Sequence, residues 1–126
     1  MATILVVDDS PSQRAALAAA LIDAGHQILE AEDGTRAVEL VREHGPELCF
    51  VDDVMPGPSG IRTIKALAED PQTATVRCVY MQGRDDAVDR DWALRAGAVE
   101  CLVRPVEPEL ALSVVARLVV DGGRPV

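Results

Sequence analysis

Short apolar runs of strand character alternate five times with longer segments of helical periodicity, and this alternation is what most constrains the fold. The predicted strands span residues 3–7, 26–31, 48–51, 76–81 and 99–103. Consecutive parallel strands require a crossover connection, usually a helix, and such crossovers are right-handed. The alternation therefore predicts an α/β fold, (βα)5, in which a doubly wound parallel sheet of five strands is covered by helices on both faces.

Capping residues and glycines mark the ends of the predicted helices. Ser10 is the expected N-cap of the first helix, with Gln13 completing a capping box, and Gly25 ends that helix. Asp33 and Gly45 bound the second helix in the same way. These signals support the crossover helices that a parallel sheet requires.

The last helix is predicted from about residue 108 to residue 120. Its predicted inner face holds Leu110, Val114 and Leu118. Residues 121–126 are predicted to be a frayed end or the start of a linker. One domain over residues 1–120 is therefore expected, which suits a chain of 126 residues with 48% hydrophobic content.

The charge and the aromatic content argue against two classes of partner. Twenty-one acidic residues against 12 basic ones give a formal net charge of -9, which repels nucleic acid and anionic membranes. The single Trp, Tyr and Phe leave little scope for stacking on bases. No segment of the sequence is long and apolar enough to suggest a membrane span. We expect no nucleic-acid partner for this domain and no membrane insertion.

Cys49, Cys78 and Cys101 all fall within strand-like apolar runs. They show neither CxxC spacing nor a neighbouring His that would complete a zinc site. We interpret them as small side chains of the core. Their odd number, and an N-terminus that leads directly into the first strand, predict a reducing, cytoplasmic location.

Acidic residues follow two of the predicted strands. Asp8 and Asp9 end the first strand, and Asp52 and Asp53 end the third, just before a Pro/Gly-rich turn. Open parallel sheets bind ligands beyond the carboxyl ends of their strands, so we expect one acidic pocket there. Carboxylates held close together require a bound cation or a raised pKa, and oxygen-only ligands favour Mg²⁺. The pocket predicts phosphoryl transfer, with an aspartate as the nucleophile.

Four sequence features together carry a family resemblance. They are Asp8-Asp9, the DxxMPxxxG spacing from Asp52 to Gly60, Gly97-Ala98 and Arg104-Pro105. Over essentially its whole length the chain resembles a receiver domain of the two-component response regulators. The resemblance implies a flavodoxin-like fold with strand order 2-1-3-4-5 and, before Pro105, a peptide bond that is usually cis in the family.

The resemblance assigns roles to the acidic residues. Asp52 is implied to be the phosphoacceptor, and the backbone carbonyl of Val54 is implied to be a metal ligand. Asp9 is implied to bind Mg²⁺ directly, and Asp8 through water. Asp53 is one position out of phase with the motif, so we expect it to be a solvated or structural acid.

Two positions lack side chains that the family uses for switching. Gln82 stands where the family has a Thr or Ser hydroxyl that bonds the phosphoryl group, and a slip of one residue gives Met81 or Gly83 instead. The Gln82 amide can still donate a hydrogen bond, but from a different distance. Cys101 stands where the family has an aromatic residue that moves together with the hydroxyl. The usual relay from the phosphorylation site to the surface is therefore expected to be missing.

Arg104 stands where the family has a Lys. Its guanidinium keeps a permanent positive charge and adds a planar fork of donors. Two roles remain open: it grips the phosphoryl group, or it pairs with Asp8, Asp9 or Asp52. Pairing in the resting state would occupy the place of the metal and lower the affinity for Mg²⁺.

Three functions are compatible with these residues. The first is a receiver that accepts a phosphoryl group from a histidine kinase or phosphotransfer protein, signals by protein contact, and catalyses at most its own phosphorylation and dephosphorylation. The resemblance implies docking on the face of helix four, strand five and helix five, near Trp92 unless that side chain is buried. The alternatives are a phosphorylation-independent pseudo-receiver that acts as a binding module, and a small Mg²⁺-dependent phosphohydrolase that uses Asp52.

Overall fold

The computed structural model describes residues 1–119, which form a five-stranded parallel sheet with five helices. The strands are β1 (Thr3–Val7), β2 (Gln27–Ala31), β3 (Leu48–Asp52), β4 (Arg77–Gln82) and β5 (Glu100–Val103). The helices are α1 (Pro11–Asp23), α2 (Gly34–His44), α3 (Gly60–Glu69), α4 (Ala87–Ala96) and α5 (Pro108–Leu118). The strand order is β2-β1-β3-β4-β5, so the predicted fold class and strand order are confirmed.

The ends of the elements differ from the predicted ones by one or two residues. The strand β4 includes Gln82, which the sequence had placed in the following loop. The helix α5 ends at Leu118, and Val119 takes extended backbone angles, φ −93° and ψ 127°. Val120 and the predicted tail, residues 121–126, lie outside the described residues.

Apolar side chains form a core layer on each face of the sheet. Leu5 and Val51 belong to the layer that α2, α3 and α4 cover. Phe50 and Met81 belong to the opposite layer, under α1 and α5. Burial of the sheet on both faces explains why its strands read as continuous apolar runs. Within residues 1–119, no helix combines the length and the apolar character needed to cross a membrane.

The cysteines are free thiols on three different strands. Cys49 and Cys78 are buried in the sheet, as predicted for small core side chains. Cys101 is half-buried on β5, and burial raises the pKa of its thiol. A thiol with a raised pKa stays protonated at neutral pH, so Cys101 acts here as a small packing residue.

The buried face of α5 differs from the prediction. Leu110 is 43% exposed, whereas Ala111, Val114 and Val115 are buried against the sheet. Leu118 packs beside this layer and is partly buried. The prediction was wrong for Leu110 because apolar residues occupy more than one stripe of this helix, and periodicity alone does not select the stripe that faces the sheet.

The turn after β3 brings the start of α3 against the end of the strand at Gly60. The Gly60 N–H donates to the carbonyl oxygen of Asp53 at 2.9 Å. A Cβ atom at position 60 would lie 2.1 Å from the carbonyl oxygen of Asp52. Only glycine permits this approach, which explains why the sequence motif after Asp52 ends in a glycine.

We predict that Gly60→Ala lowers the free energy of unfolding by about 2–3 kcal/mol, because the added methyl group overlaps the backbone of β3. Urea unfolding followed by circular dichroism measures the change. Gly45→Ala is the control, since Gly45 has φ 57° and open space around it. Its expected cost is only the backbone strain, about 1 kcal/mol. Equal losses in the two variants would contradict the role of the close approach.

Candidate functional site

Three carboxylates from two neighbouring strands meet at the carboxyl edge of the sheet. Asp8 and Asp9 follow β1, and Asp52 ends β3, which pairs with β1. Each carboxylate offers one oxygen, and these oxygens lie within 4.8 Å of one another. Asp8 and Asp52 are buried, whereas Asp9 is exposed. The structure therefore brings together the acidic pocket that the sequence predicted.

Asp8 is held by the start of α1. Its Oδ1 accepts the Ser10 N–H at 2.9 Å, and the Ser10 Oγ accepts the Gln13 N–H at 3.4 Å. The predicted capping box therefore forms only in part, because Asp8 rather than Gln13 accepts the Ser10 N–H. Burial raises the pKa of the Asp8 carboxyl, and the Ser10 N–H and the charge of Arg104 partly offset this effect.

The donor set of the pocket suits a small divalent cation. Its oxygens come from carboxylates, which are hard ligands of the kind that Mg²⁺ prefers. Val54 follows in the turn after β3, where its N–H donates to Asp53 Oδ1 at 2.8 Å. The chemistry of these residues fits the metal that the resemblance implied, while the individual ligand roles of Asp8, Asp9, Asp52 and the Val54 carbonyl stay predictions.

A guanidinium group supplies positive charge to this acidic pocket. Arg104 follows β5 and precedes Pro105 through a cis peptide bond, as the resemblance implied. The Arg104 Nη1 forms an ion pair with Asp52 Oδ1, and its Nη2 lies 3.1 Å from Asp53 Oδ1. Of the two roles left open for Arg104, the structure shows pairing with the acids, and it adds Asp53 as a partner that the sequence did not predict.

Asp53 belongs to the pocket and is not a solvated acid. Its Oδ2 accepts the Gly83 N–H at 2.8 Å, and only 15% of its side chain is exposed. The interpretation as a solvated acid was wrong, and the structural alternative is correct. A Cβ atom at Gly83 would lie 3.0 Å from the Arg104 Nη2. Three features of the sequence together indicate these contacts of Asp53: an acidic residue after Asp52, Arg in place of Lys at position 104, and a glycine after the fourth strand.

The side-chain amide of Gln82 bonds residues at the start of α4 and not the four aspartates of the pocket. Its Nε2 donates to the Asp86 carbonyl oxygen and to Asp89 Oδ2, both at 3.0 Å. The Tyr80 hydroxyl donates to the same Asp89 carboxylate, 3.0 Å from Oδ2. Among the described residues, the buried Gln82 Oε1 has no hydrogen-bond partner. These contacts tie α4 to β4, and the role of Gln82 at a phosphoryl group stays a prediction.

Trp92 lies on the surface of α4. Its exposed fraction is 58%, and that of Val88, one turn earlier, is 68%. Ala93 supplies the buried contact of this helix instead. Exposed apolar side chains also occur on the two neighbouring elements, at Val103 of β5 and Leu110 of α5. The alternative in which Trp92 is buried was wrong, and the guanidinium carbon of Arg95 lies 5.8 Å from the centre of its ring.

Comparison with known proteins identifies the family. The family model described as "Response regulator receiver domain" matches residues 4–116. The chain belongs to the response regulator receiver family. Receiver domains are signalling modules that interact with histidine kinases or phosphotransfer proteins and with downstream targets, and they generally bind Mg²⁺ at an acidic pocket.

Individual relatives match this receiver domain over nearly its full length. It is 37% identical to the protein PilH of Pseudomonas aeruginosa, over 91% of this chain and 95% of PilH. It is 32% identical to the chemotaxis protein CheY of Bacillus subtilis, over 89% of this chain and 92% of that protein. The solved structure of the chemotaxis protein CheY4 of Vibrio cholerae is similar with a TM-score of 0.89 at 28% identity, over 94% and 99% of the two chains.

We predict that Tyr80→Phe lowers the free energy of unfolding by about 1.5 kcal/mol, as expected for a lost hydrogen bond to a charged group. Burial, together with the Asp89 carboxylate, raises the pKa of the Tyr80 hydroxyl, which therefore remains a donor at neutral pH. Chemical denaturation of Tyr80→Phe, Asp89→Ala and the double variant measures their coupling. Losses that simply add in the double variant would contradict a direct bond between the two side chains.

Proposed function

We propose that Asp52 of this receiver domain accepts a phosphoryl group from a histidine kinase or a phosphotransfer protein, with Mg²⁺ as the cofactor. One observation carries the proposal: Asp8, Asp9 and Asp52 offer oxygens within 4.8 Å of one another, beside the positive charge of Arg104. A carboxylate nucleophile must approach a phosphoryl group that is itself negative, so it needs cations close by. The pocket combines the nucleophile with one such cation and with a ligand set for a second.

The proposed transfer forms one bond and breaks one. A carboxylate oxygen of Asp52 bonds to the phosphorus of a phosphohistidine, the P–N bond breaks, and its electron pair goes to the imidazole nitrogen of the donor. Asp9, Asp52 and the Val54 carbonyl would hold Mg²⁺ directly and Asp8 through water, and the metal would neutralise charge on the phosphoryl oxygens. After Arg104 leaves its ion pair with Asp52, its guanidinium binds the oxygens of the phosphoryl group.

Arg104 lowers the affinity for the metal in this proposal. Its guanidinium pairs with Asp52, and only 19% of the Arg104 side chain is exposed, so water and salt screen the pair weakly. Mg²⁺ must compete with this internal cation for the Asp52 carboxylate. Metal binding is then weaker than three unpaired carboxylates would provide.

The proposed signalling surface is the face formed by α4, β5 and α5. Trp92 and Val88 expose apolar area on this face, and aromatic side chains are typical of the centres of protein interfaces. The net charge of -9 disfavours nucleic acid and anionic membranes as partners of this domain. We propose a cytoplasmic module that acts by protein contact and catalyses no reaction beyond its own phosphorylation and dephosphorylation.

A phosphorylation-independent binding module is the second candidate, and the contacts of Gln82 favour it. The Gln82 amide is bonded to Asp86 and Asp89 of the α4 region, where the family has a hydroxyl that bonds the phosphoryl group. Cys101 offers no aromatic ring that could move with it. If the domain is such a binding module, α4 keeps the same position whether or not Asp52 carries a phosphoryl group.

We predict that Mg²⁺ and a small phosphodonor such as acetyl phosphate add one phosphoryl group to the wild-type chain and none to Asp52→Asn, because Asp52 is the nucleophile. Intact-mass spectrometry measures the gain. Glu32→Gln removes an exposed carboxylate after β2, at the same edge of the sheet, and should be modified like the wild type. A wild-type chain that gains no mass would refute phosphoryl acceptance and favour the second candidate.

We predict that Arg104→Gln raises the affinity for Mg²⁺ by about tenfold, or about 1.4 kcal/mol, because no guanidinium then competes for Asp52. Isothermal titration calorimetry without a phosphodonor measures the affinity. Arg84→Gln removes an exposed positive charge from the connection between β4 and α4, and it should change the affinity by less than about threefold. Equal affinities in Arg104→Gln and the wild type would show that the ion pair does not compete with the metal.

A further inference from the structure

Asp53 connects the carboxyl ends of three neighbouring strands. It follows β3, and its carboxylate accepts the Gly83 N–H, just after β4, at 2.8 Å. It also accepts the Arg104 Nη2–H, just after β5, at 3.1 Å, and the Val54 N–H at 2.8 Å. A turn-capping aspartate would need only the Val54 contact, so the other two contacts require a separate explanation.

One of the two donors from neighbouring strands that hold Asp53 also pairs with Asp52, and the other lies beside it. Arg104 divides its guanidinium between them, with Nη1 on Asp52 Oδ1 and Nη2 on Asp53 Oδ1. The Asp53 N–H donates to Asp52 Oδ1 at 2.9 Å, which holds the two carboxylates side by side. At Gly83 the backbone lies so close to Arg104 that a Cβ atom would be 3.0 Å from Nη2. A phosphoryl group on Asp52 would therefore find nearby donors already bound to Asp53.

We propose that Asp53 is an internal anion that holds Gly83 and Arg104 in the unphosphorylated chain and competes with a phosphoryl group on Asp52 for these two donors. The competition rests on the proposed function, whereas the holding contacts stand without it. A phosphoryl group carries roughly two negative charges and three acceptor oxygens. The Gly83 N–H and the Arg104 Nη2–H both point at the Asp53 carboxylate, so each must turn away from Asp53 to bond a phosphoryl oxygen on Asp52. Asp53 is thus a positioning residue that acts through Arg104 and Gly83.

The holding contact has a consequence for α4. Gly83 begins the connection from β4 to α4, and Asp86 ends it by capping the helix, where its side chain accepts the N–H groups of Val88 and Asp89. While Asp53 holds Gly83, both ends of this connection are fixed. Phosphorylation moves the connection only when the phosphoryl group displaces Asp53 from Gly83.

Amide exchange at Gly83 tests the holding contact without any phosphodonor. By NMR of ¹⁵N-labelled protein, the Gly83 N–H should exchange at least about tenfold faster in Asp53→Ala than in the wild type, because its acceptor is gone. Asp53→Asn retains an oxygen at the same place and should restore the slow rate. Glu32→Ala removes an exposed acid after β2 and should leave the rate unchanged. Equal rates in Asp53→Ala and the wild type would overturn the proposal.

Binding of beryllium fluoride with Mg²⁺ tests the competition, since this complex mimics a phosphoryl group on a carboxylate. Asp53→Ala should bind it at least about fivefold more tightly than the wild type, a gain that the general loss of one charge in Glu32→Ala does not reproduce. Equal or weaker binding by Asp53→Ala would refute the competition. Asp53→Ser, whose side chain is too short to reach Gly83, replaces Asp53→Ala in both measurements if that variant does not fold.

The two measurements separate this proposal from the function on which it rests. If neither the wild type nor the variants bind beryllium fluoride, phosphoryl acceptance at Asp52 is refuted together with the competition. The exchange rate of Gly83 then still decides whether Asp53 holds the connection to α4. If the wild type binds the complex and Asp53→Ala binds it no better, the proposed function stands and the competition is refuted.

Discussion

The ion pairs of Arg104 are the interaction on which the carboxyl edge of the sheet depends. Asp8, Asp9, Asp52 and Asp53 lie at the ends of β1 and β3, and two of these carboxylates share the single guanidinium that follows β5. Buried carboxylates without partners are costly, and burial already raises the pKa of Asp8. Arg104, which follows β5, therefore offsets much of the negative charge at this edge, and Arg14 of α1 adds a smaller effect at Asp8.

Two glycines make room for this arrangement at the backbone. Gly60 lets α3 approach the end of β3, where a Cβ atom would meet the Asp52 carbonyl oxygen. Gly83 leaves space beside the Arg104 guanidinium, which a Cβ atom would crowd. Arg is longer and bulkier than Lys, and a Cβ atom at position 83 would require the Arg104 guanidinium to shift by a few tenths of an ångström. The arginine at position 104 and the glycine at position 83 are therefore best understood as one structural feature.

Most of the fold could be predicted from the sequence because apolar runs, caps and glycines are local signals. Asp8 and Asp52 could be placed together because parallel strands end at one edge. The contacts of Asp53 were missed, because strand alternation predicts that its side chain points away from Asp52, whereas the two carboxylates share the Arg104 guanidinium. Trp92 and Leu110 show the limit of periodicity: it finds apolar positions on a helix, but packing decides which of them face the sheet.

Accepting a phosphoryl group and reporting it are separate physical tasks in this receiver domain. The first needs carboxylates and a cation, which the pocket brings together. The second needs an element whose contacts change, and Gln82 and Tyr80 already hold α4 through the Asp89 carboxylate. Among the described residues, the side-chain hydrogen bonds of Gln82 and Tyr80 go to Asp86 and Asp89 and not to Asp8, Asp9, Asp52 or Asp53. The Gly83 N–H, held by Asp53, is the contact through which a change at the acids can reach the connection to α4.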